Sequence, residues 1–131
     1  MREIKFRGKV WTYGQREWRT GGYEYFNGVH YIIIDGQRHA ADPETIGQYT
    51  GFKDKDGVEI WEGDIVSSLY KRDGCIGVYE IVWSNYAFRP YKRGEHQQKN
   101  VSISMLDLRR CERVGNRYDN PELLEVKSER D

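Results

Sequence analysis

Short β-prone runs cut by turn dipeptides constrain this chain more than any other feature. Asn27-Gly28, Asp35-Gly36 and Asp73-Gly74 each stand beside segments rich in Ile, Val, Tyr or Trp. Asn-Gly and Asp-Gly suit the left-handed backbone that a two-residue hairpin loop requires at both central positions. Tyr23-Glu-Tyr-Phe26 and Val29-His-Tyr-Ile-Ile-Ile34 flank the first of these turns. In Glu3-Ile-Lys-Phe-Arg7, Ile4 and Phe6 alternate with charge, which predicts one buried and one wet face. Trp11, Tyr13 and Trp18 continue that pattern across an interruption at residues 14–17.

Further on, Asp42-Pro43 reads as a cap and first residue of a single helical turn. Lys53-Asp-Lys-Asp-Gly57 reads as a polar turn and Val58-Glu-Ile-Trp61 as a strand. Glu62-Gly-Asp64 turns again into a strand from Ile65 toward Tyr70, and Cys75 to Trp83 forms the next. Residues 89–99 read as a long polar loop and Val101-Ser-Ile-Ser-Met105 as a returning strand. Asn120-Pro-Glu-Leu-Leu-Glu125 has the form of a short helix, capped by Asn120 and started by Pro121, with a frayed end from Lys127. His30, out of step with Val29 and Tyr31, is expected to be exposed. No repeat, linker or long amphipathic helix interrupts the pattern. The expectation is one mainly β domain over residues 1–131, built of antiparallel sheets with one short C-terminal helix.

A chain of 131 residues buries roughly two-thirds of its unfolded surface, enough to stand without disulfides or metal. Its 21 basic and 21 acidic side chains balance, which argues against a generally nucleic-acid-seeking or membrane-seeking protein. Charge is uneven along the chain, however. Residues 1–22 carry net +4, residues 42–64 net −5, residues 89–117 net +5 and the last fourteen net −3. Segments of opposite sign can lie against each other or against a second subunit. Cys75 and Cys111 stand far apart and outside any CxxC pairing, as expected of reduced thiols. The N-terminal charges precede no apolar stretch, and the longest apolar run is Tyr31-Ile-Ile-Ile34. The expected location is therefore the cytoplasm, with no membrane association.

Few residues assemble into chemistry. Asp54, Asp56, Glu59, Glu62 and Asp64 form an acidic cluster, but an EF-hand register with Gly57 sixth places Phe52 first and Gly63 twelfth, where carboxylates belong. The Glu-x-Lys pairs at Glu3/Lys5 and Glu125/Lys127 lack the separate Asp that a magnesium nuclease needs. His30, His39 and His96 have no zinc spacing. No catalytic residue, metal site or cofactor is assigned. The strongest binding candidate is the basic, aromatic stretch with Trp83, Tyr86, Phe88, Arg89, Tyr91, Lys92, Arg93 and Lys99, followed by Arg109, Arg110, Arg113 and Arg117. Aromatic faces stack on bases and cations follow phosphates, so this pattern suits single-stranded nucleic acid. The structural alternative buries Trp83 and Phe88 and pairs the arginines with the acidic middle segment.

Three segments carry a family resemblance: Met1-Arg-Glu-Ile-Lys-Phe-Arg7, the run from Asp42 to Val66 with its Gln-Tyr-Thr-Gly and Glu-Gly-Asp-Ile-Val elements, and Gly115-Asn-Arg-Tyr-Asp-Asn-Pro-Glu-Leu-Leu124. Together they resemble the YopX family of phage- and prophage-encoded proteins. The resemblance implies a mainly β fold of coiled, partly barrel-like sheets, a bacterial host and homo-oligomers, and it brings no catalytic residues. Gly63-Asp64-Ile65-Val66 also resembles the turn-into-strand of SH3-like barrels, where Asp bonds to the backbone of its own turn. Gly47, Gly51, Gly57 and Gly63 are expected to space a series of reversals. The functional expectation is an accessory or interaction protein engaging a host or phage partner. Nucleic-acid binding through residues 83–117 is the alternative.

Overall fold

The computed structural model describes residues 3–68, 77–84, 87–91 and 105–124. The chain groups into two compact units, Met1–Gly51 and Phe52–Asp131. The expected Asp73-Gly74 turn, residues 101–104 of the expected strand at 101–105 and everything from residue 125 lie outside the described residues, and Met105 itself opens a 3-10 turn.

The first unit is an antiparallel meander of β1 (Phe6–Thr12), β2 (Gln15–Phe26), β3 (Val29–Ile34) and β4 (Gln37–Ala40). Phe26 pairs with Val29 and Ile34 with Gln37, so Asn27-Gly28 and Asp35-Gly36 are two-residue loops. Asn27 and Asp35 have φ of 53° and 52°, as these turns require. A third such loop stands where the sequence pattern predicts an interruption within a strand. Thr12 pairs with Gln15, and Tyr13-Gly14 makes the turn with φ of 47° and 82°.

β2 changes partner midway: residues 15–21 pair with β1, and residues 22–26 pair with β3. Gly21 sits at the switch, where any Cβ would run into the carbonyl of Ile33. After β4 the chain returns to β1. Ala41 bridges to Val10, its N–H donating to the His30 carbonyl over 2.9 Å, while the Asp42 N–H donates to the Lys9 carbonyl over 2.8 Å. Asp42 then caps the expected short turn, Pro43–Thr45, its Oδ1 accepting from the Glu44 N–H at 3.1 Å. β5 (Gly47–Lys53) starts against β1, with Phe6 opposite Gln48 and Arg7 opposite Gly47. Gly47 and Gly51 both lie within β5, Gly51 with a positive φ, whereas Gly57 and Gly63 take positive φ in the reversals between strands. The sheet coils onto its own first strand but is not a closed barrel. Val10, Ile32 and Ala41 form its core, with Phe6, Ile34 and Ile46 packed around them.

The expected faces of the N-terminal strand are partly exchanged. Ile4 is exposed, whereas Arg7 is only 6% exposed. The Arg7 guanidinium carbon stands 4.6 Å from the Trp18 ring centre, and a flat delocalised cation stacked on an indole is buried far more cheaply than a bare charge.

In the second unit, β6 (Glu59–Trp61) follows the polar turn at 54–58. A four-stranded antiparallel sheet then has the order β10-β7-β8-β9, from β7 (Asp64–Ser68), β8 (Gly77–Ser84), β9 (Ala87–Tyr91) and β10 (Cys111–Asn116). Ile60, Val66, Tyr79, Ile81, Phe88, Leu108 and Cys111 form its core. Leu108 comes from a 3-10 turn, Met105–Arg110. Residues 89–91, expected in a loop, complete β9 instead. Pro90 cannot donate to a ladder, and among the described residues β9 is the outermost strand of the sheet, where no donor is needed on its far side. A short 3-10 turn, Pro121–Leu124, ends the described chain. Asn120 does not cap it with its side chain: Oδ1 accepts from the Asn116 N–H at 3.2 Å. Among the described residues no helix is long and apolar enough to cross a membrane.

Candidate functional site

Strand register decides how the basic, aromatic stretch is displayed. On the β8–β9 ladder Trp83 pairs with Phe88, Val82 with Arg89 and Glu80 with Tyr91. Side chains alternate between faces along a strand, so Trp83 and Phe88 share one face while Arg89 and Tyr91 share the other. Phe88 is core, and Trp83 lies edge-on to it at 4.8 Å between ring centres, itself half exposed. Arg89, Tyr91, Arg109 and Arg110 are exposed. Tyr86, Lys92, Arg93 and Lys99 lie outside the described residues.

The remaining two arginines of that stretch are held by carboxylates. Arg113 Nε lies 3.0 Å from Asp64 Oδ2, and Arg117 donates to Glu80 over 2.9 Å and to the Tyr118 hydroxyl over 2.7 Å. Burial would lower the affinity of Arg117 for its proton, but the bonds to Glu80 and Tyr118 outweigh this and hold the guanidinium more firmly charged. Asp64 is fully buried and also accepts the Trp61 N–H at 2.7 Å, across its own turn. Asp54 accepts from the N–H groups of Asp56 and Val58 at 2.8 and 3.0 Å, closing the polar turn, and from the Arg113 N–H at 2.9 Å. Burial alone would raise its pKa, but these three bonds and the nearby Lys55 leave it lowered. Asp54 and Asp64 are therefore tied to backbone donors. Among the described residues no group of three His, Cys, Asp or Glu side chains is placed to hold a metal ion. The buried Cys111 thiol points to the Asp107 carbonyl at 3.5 Å.

Two further surfaces were not picked out from the sequence. With the Tyr13-Gly14 turn in place, Lys9 falls opposite Trp18 and Trp11 opposite Arg16. Lys5, Arg7, Lys9 and Trp11 then occupy alternate positions of the N-terminal segment, with Arg16 and Trp18 beside them on β2. Cations stand over rings throughout: Lys5 over Tyr49 at 4.9 Å, Arg7 and Lys9 over Trp18 at 4.6 and 5.4 Å, and Arg16 over Trp11 at 5.3 Å. Arg16 also pairs with Asp42. The alternation of Lys5, Arg7, Lys9 and Trp11 was a visible signal, but its register against β2 required the turn.

The second surface is the β2–β3 hairpin. On one face Tyr23 and Tyr25 flank His30, with Tyr23 Oη 2.6 Å from His30 Nδ1 and the Tyr25 ring centre 4.8 Å from the imidazole. His30 is therefore half buried rather than exposed. On the other face Arg38 lies over Phe26 and Tyr31 and forks onto Glu24 at 2.8 and 3.2 Å. The hydrogen bond from Arg38 lowers the Glu24 pKa.

Comparison with known proteins places this architecture. The model of the YopX protein family matches residues 6–125. No curated protein matches the chain. A solved structure, protein EF1440 from Enterococcus faecalis, is similar in fold, with a TM-score of 0.53 and 23% identity over 95% of this chain and 100% of that one. With its two antiparallel sheets and a family match over most of its length, the chain belongs to the YopX family.

Proposed function

We propose that this protein acts by binding rather than by catalysis, as a phage- or prophage-encoded accessory protein that self-associates and engages a protein partner. The observation that carries this reading is the Arg38 face of the β2–β3 hairpin, where Phe26 and Val29 pair with each other and are 48% and 37% exposed. A cluster of exposed aromatic and β-branched side chains beside an Arg stacked on a ring has the make-up of an interface centre. The buried carboxylates Asp54, Asp64 and Glu80 support the same reading, since their bonds go to the scaffold. Nucleic-acid binding through residues 83–117 has less support, because Arg113 and Arg117 are committed to ion pairs and Arg89 and Tyr91 face away from Trp83.

Sedimentation velocity across a concentration series tests the proposal. The wild type should gain mass with concentration, and a Phe26→Ser, Val29→Ser double variant should remain monomeric while keeping its β-sheet circular dichroism. A wild type that stays monomeric throughout defeats the self-association.

A further inference from the structure

Tyr13 occupies a position that the fold itself gives no reason to fill with tyrosine. Its φ of 47° is left-handed, sterically unfavourable for a bulky side chain, and its ring is fully exposed. The equivalent positions in the other two hairpins hold Asn27 and Asp35, residues suited to that backbone. Two positions earlier Trp11 is 54% exposed, with the Arg16 guanidinium over its ring. Residues that are strained, exposed and aromatic at a loop tip point to something outside the chain.

We infer that the β1–β2 hairpin is a stacking platform for single-stranded nucleic acid. Trp11 and Tyr13 present π-faces to bases and Lys9 meets the phosphates, while Arg16, held by Asp42, covers one face of Trp11. Trp11 lies near the end of β1 and Tyr13 opens the turn that follows, so both rings stand at the tip of the hairpin. Charge selects this occupant. Residues 1–22 carry six basic and two acidic side chains, so the platform attracts a polyanion and repels the same hairpin of a second copy. The platform is distinct from residues 83–117 and from the β2–β3 surface, and it does not depend on self-association.

The experiment is a fluorescence-anisotropy titration of labelled oligothymidylate and oligouridylate at low and moderate salt, with the full chain. The wild type should bind both, and salt should weaken the binding. Trp11→Ala and Tyr13→Asn should each weaken it about tenfold. Asn accepts the left-handed backbone, so loss in the Tyr13→Asn protein does not arise from a broken turn. Arg109→Glu with Arg110→Glu should leave the affinity unchanged. Absence of wild-type binding at low salt overturns the inference, as do wild-type affinities in both hairpin variants.

Discussion

Asp54 shows what one carboxylate does when every bond it makes is to the backbone. Its folded pKa lies below the ordinary value of about 3.9, so the folded state holds its ionised form more tightly than the unfolded chain does. The resulting stability is complete at neutral pH and is lost as pH falls below about 4 and through the lower folded value. Urea midpoints at neutral and acid pH should therefore diverge in the wild type and converge partly in Asp54→Asn. Asp54→Ala should cost about 2 kcal/mol at neutral pH by freeing three N–H groups. In the sequence Asp54 reads as a turn residue, and it is one. Its bond to Arg113, 59 positions away, has no local signature. Tyr13 is the converse case. Its replacement by Asn should raise the unfolding midpoint by about 1 kcal/mol equivalent, because Asn tolerates the left-handed region and Tyr does not.

Strands carry the next set of consequences. β2 serves two partners only because Gly21 lets the Ile33 carbonyl approach its backbone. Gly21→Ala should destabilise by about 3 kcal/mol, read by thermal melting, through overpacking that neither strand can relieve. Across the second sheet, Glu80→Ala would strand the Arg117 guanidinium and should cost about 2 kcal/mol by the same measurement. The hairpin built on Asn27-Gly28 was legible because dipeptide, alternation and loop length all agreed. The one built on Tyr13-Gly14 was not, since Tyr carries no preference for its backbone. β9 was missed for a related reason. Arg89, Pro90 and Tyr91 look like loop, and the position of β9 at the edge of the sheet among the described residues makes proline acceptable there. The same misreading explains why the basic segment looked like one surface: alternation along β9 separates Arg89 and Tyr91 from Phe88.

At the scale of the whole molecule, each compact unit has its own core, one around Val10, Ile32 and Ala41 and the other around Ile60, Val66 and Tyr79. Ile32→Ala and Ile60→Ala should each cost about 3 kcal/mol. Hydrogen exchange should show the first loosening residues 6–41 and the second loosening residues 59–68 and 77–84, with limited effect on the other unit. Uniform loosening by both would mean that the chain unfolds as one cooperative body. Two-residue loops also set the order in which the chain becomes complete during its synthesis. Each ladder from β1 to β4 joins neighbours in sequence, so these four strands can pair once Ala41 has emerged, and β5 reaches β1 only a few residues later. Local pairing of this kind closes fast, and N-terminal segments fold first on the ribosome. β7 must wait much longer, because Asp64 pairs with Asn116. Until β10 leaves the ribosome, one edge of β7 stands open, and the nascent second sheet is exposed to mispairing during that interval.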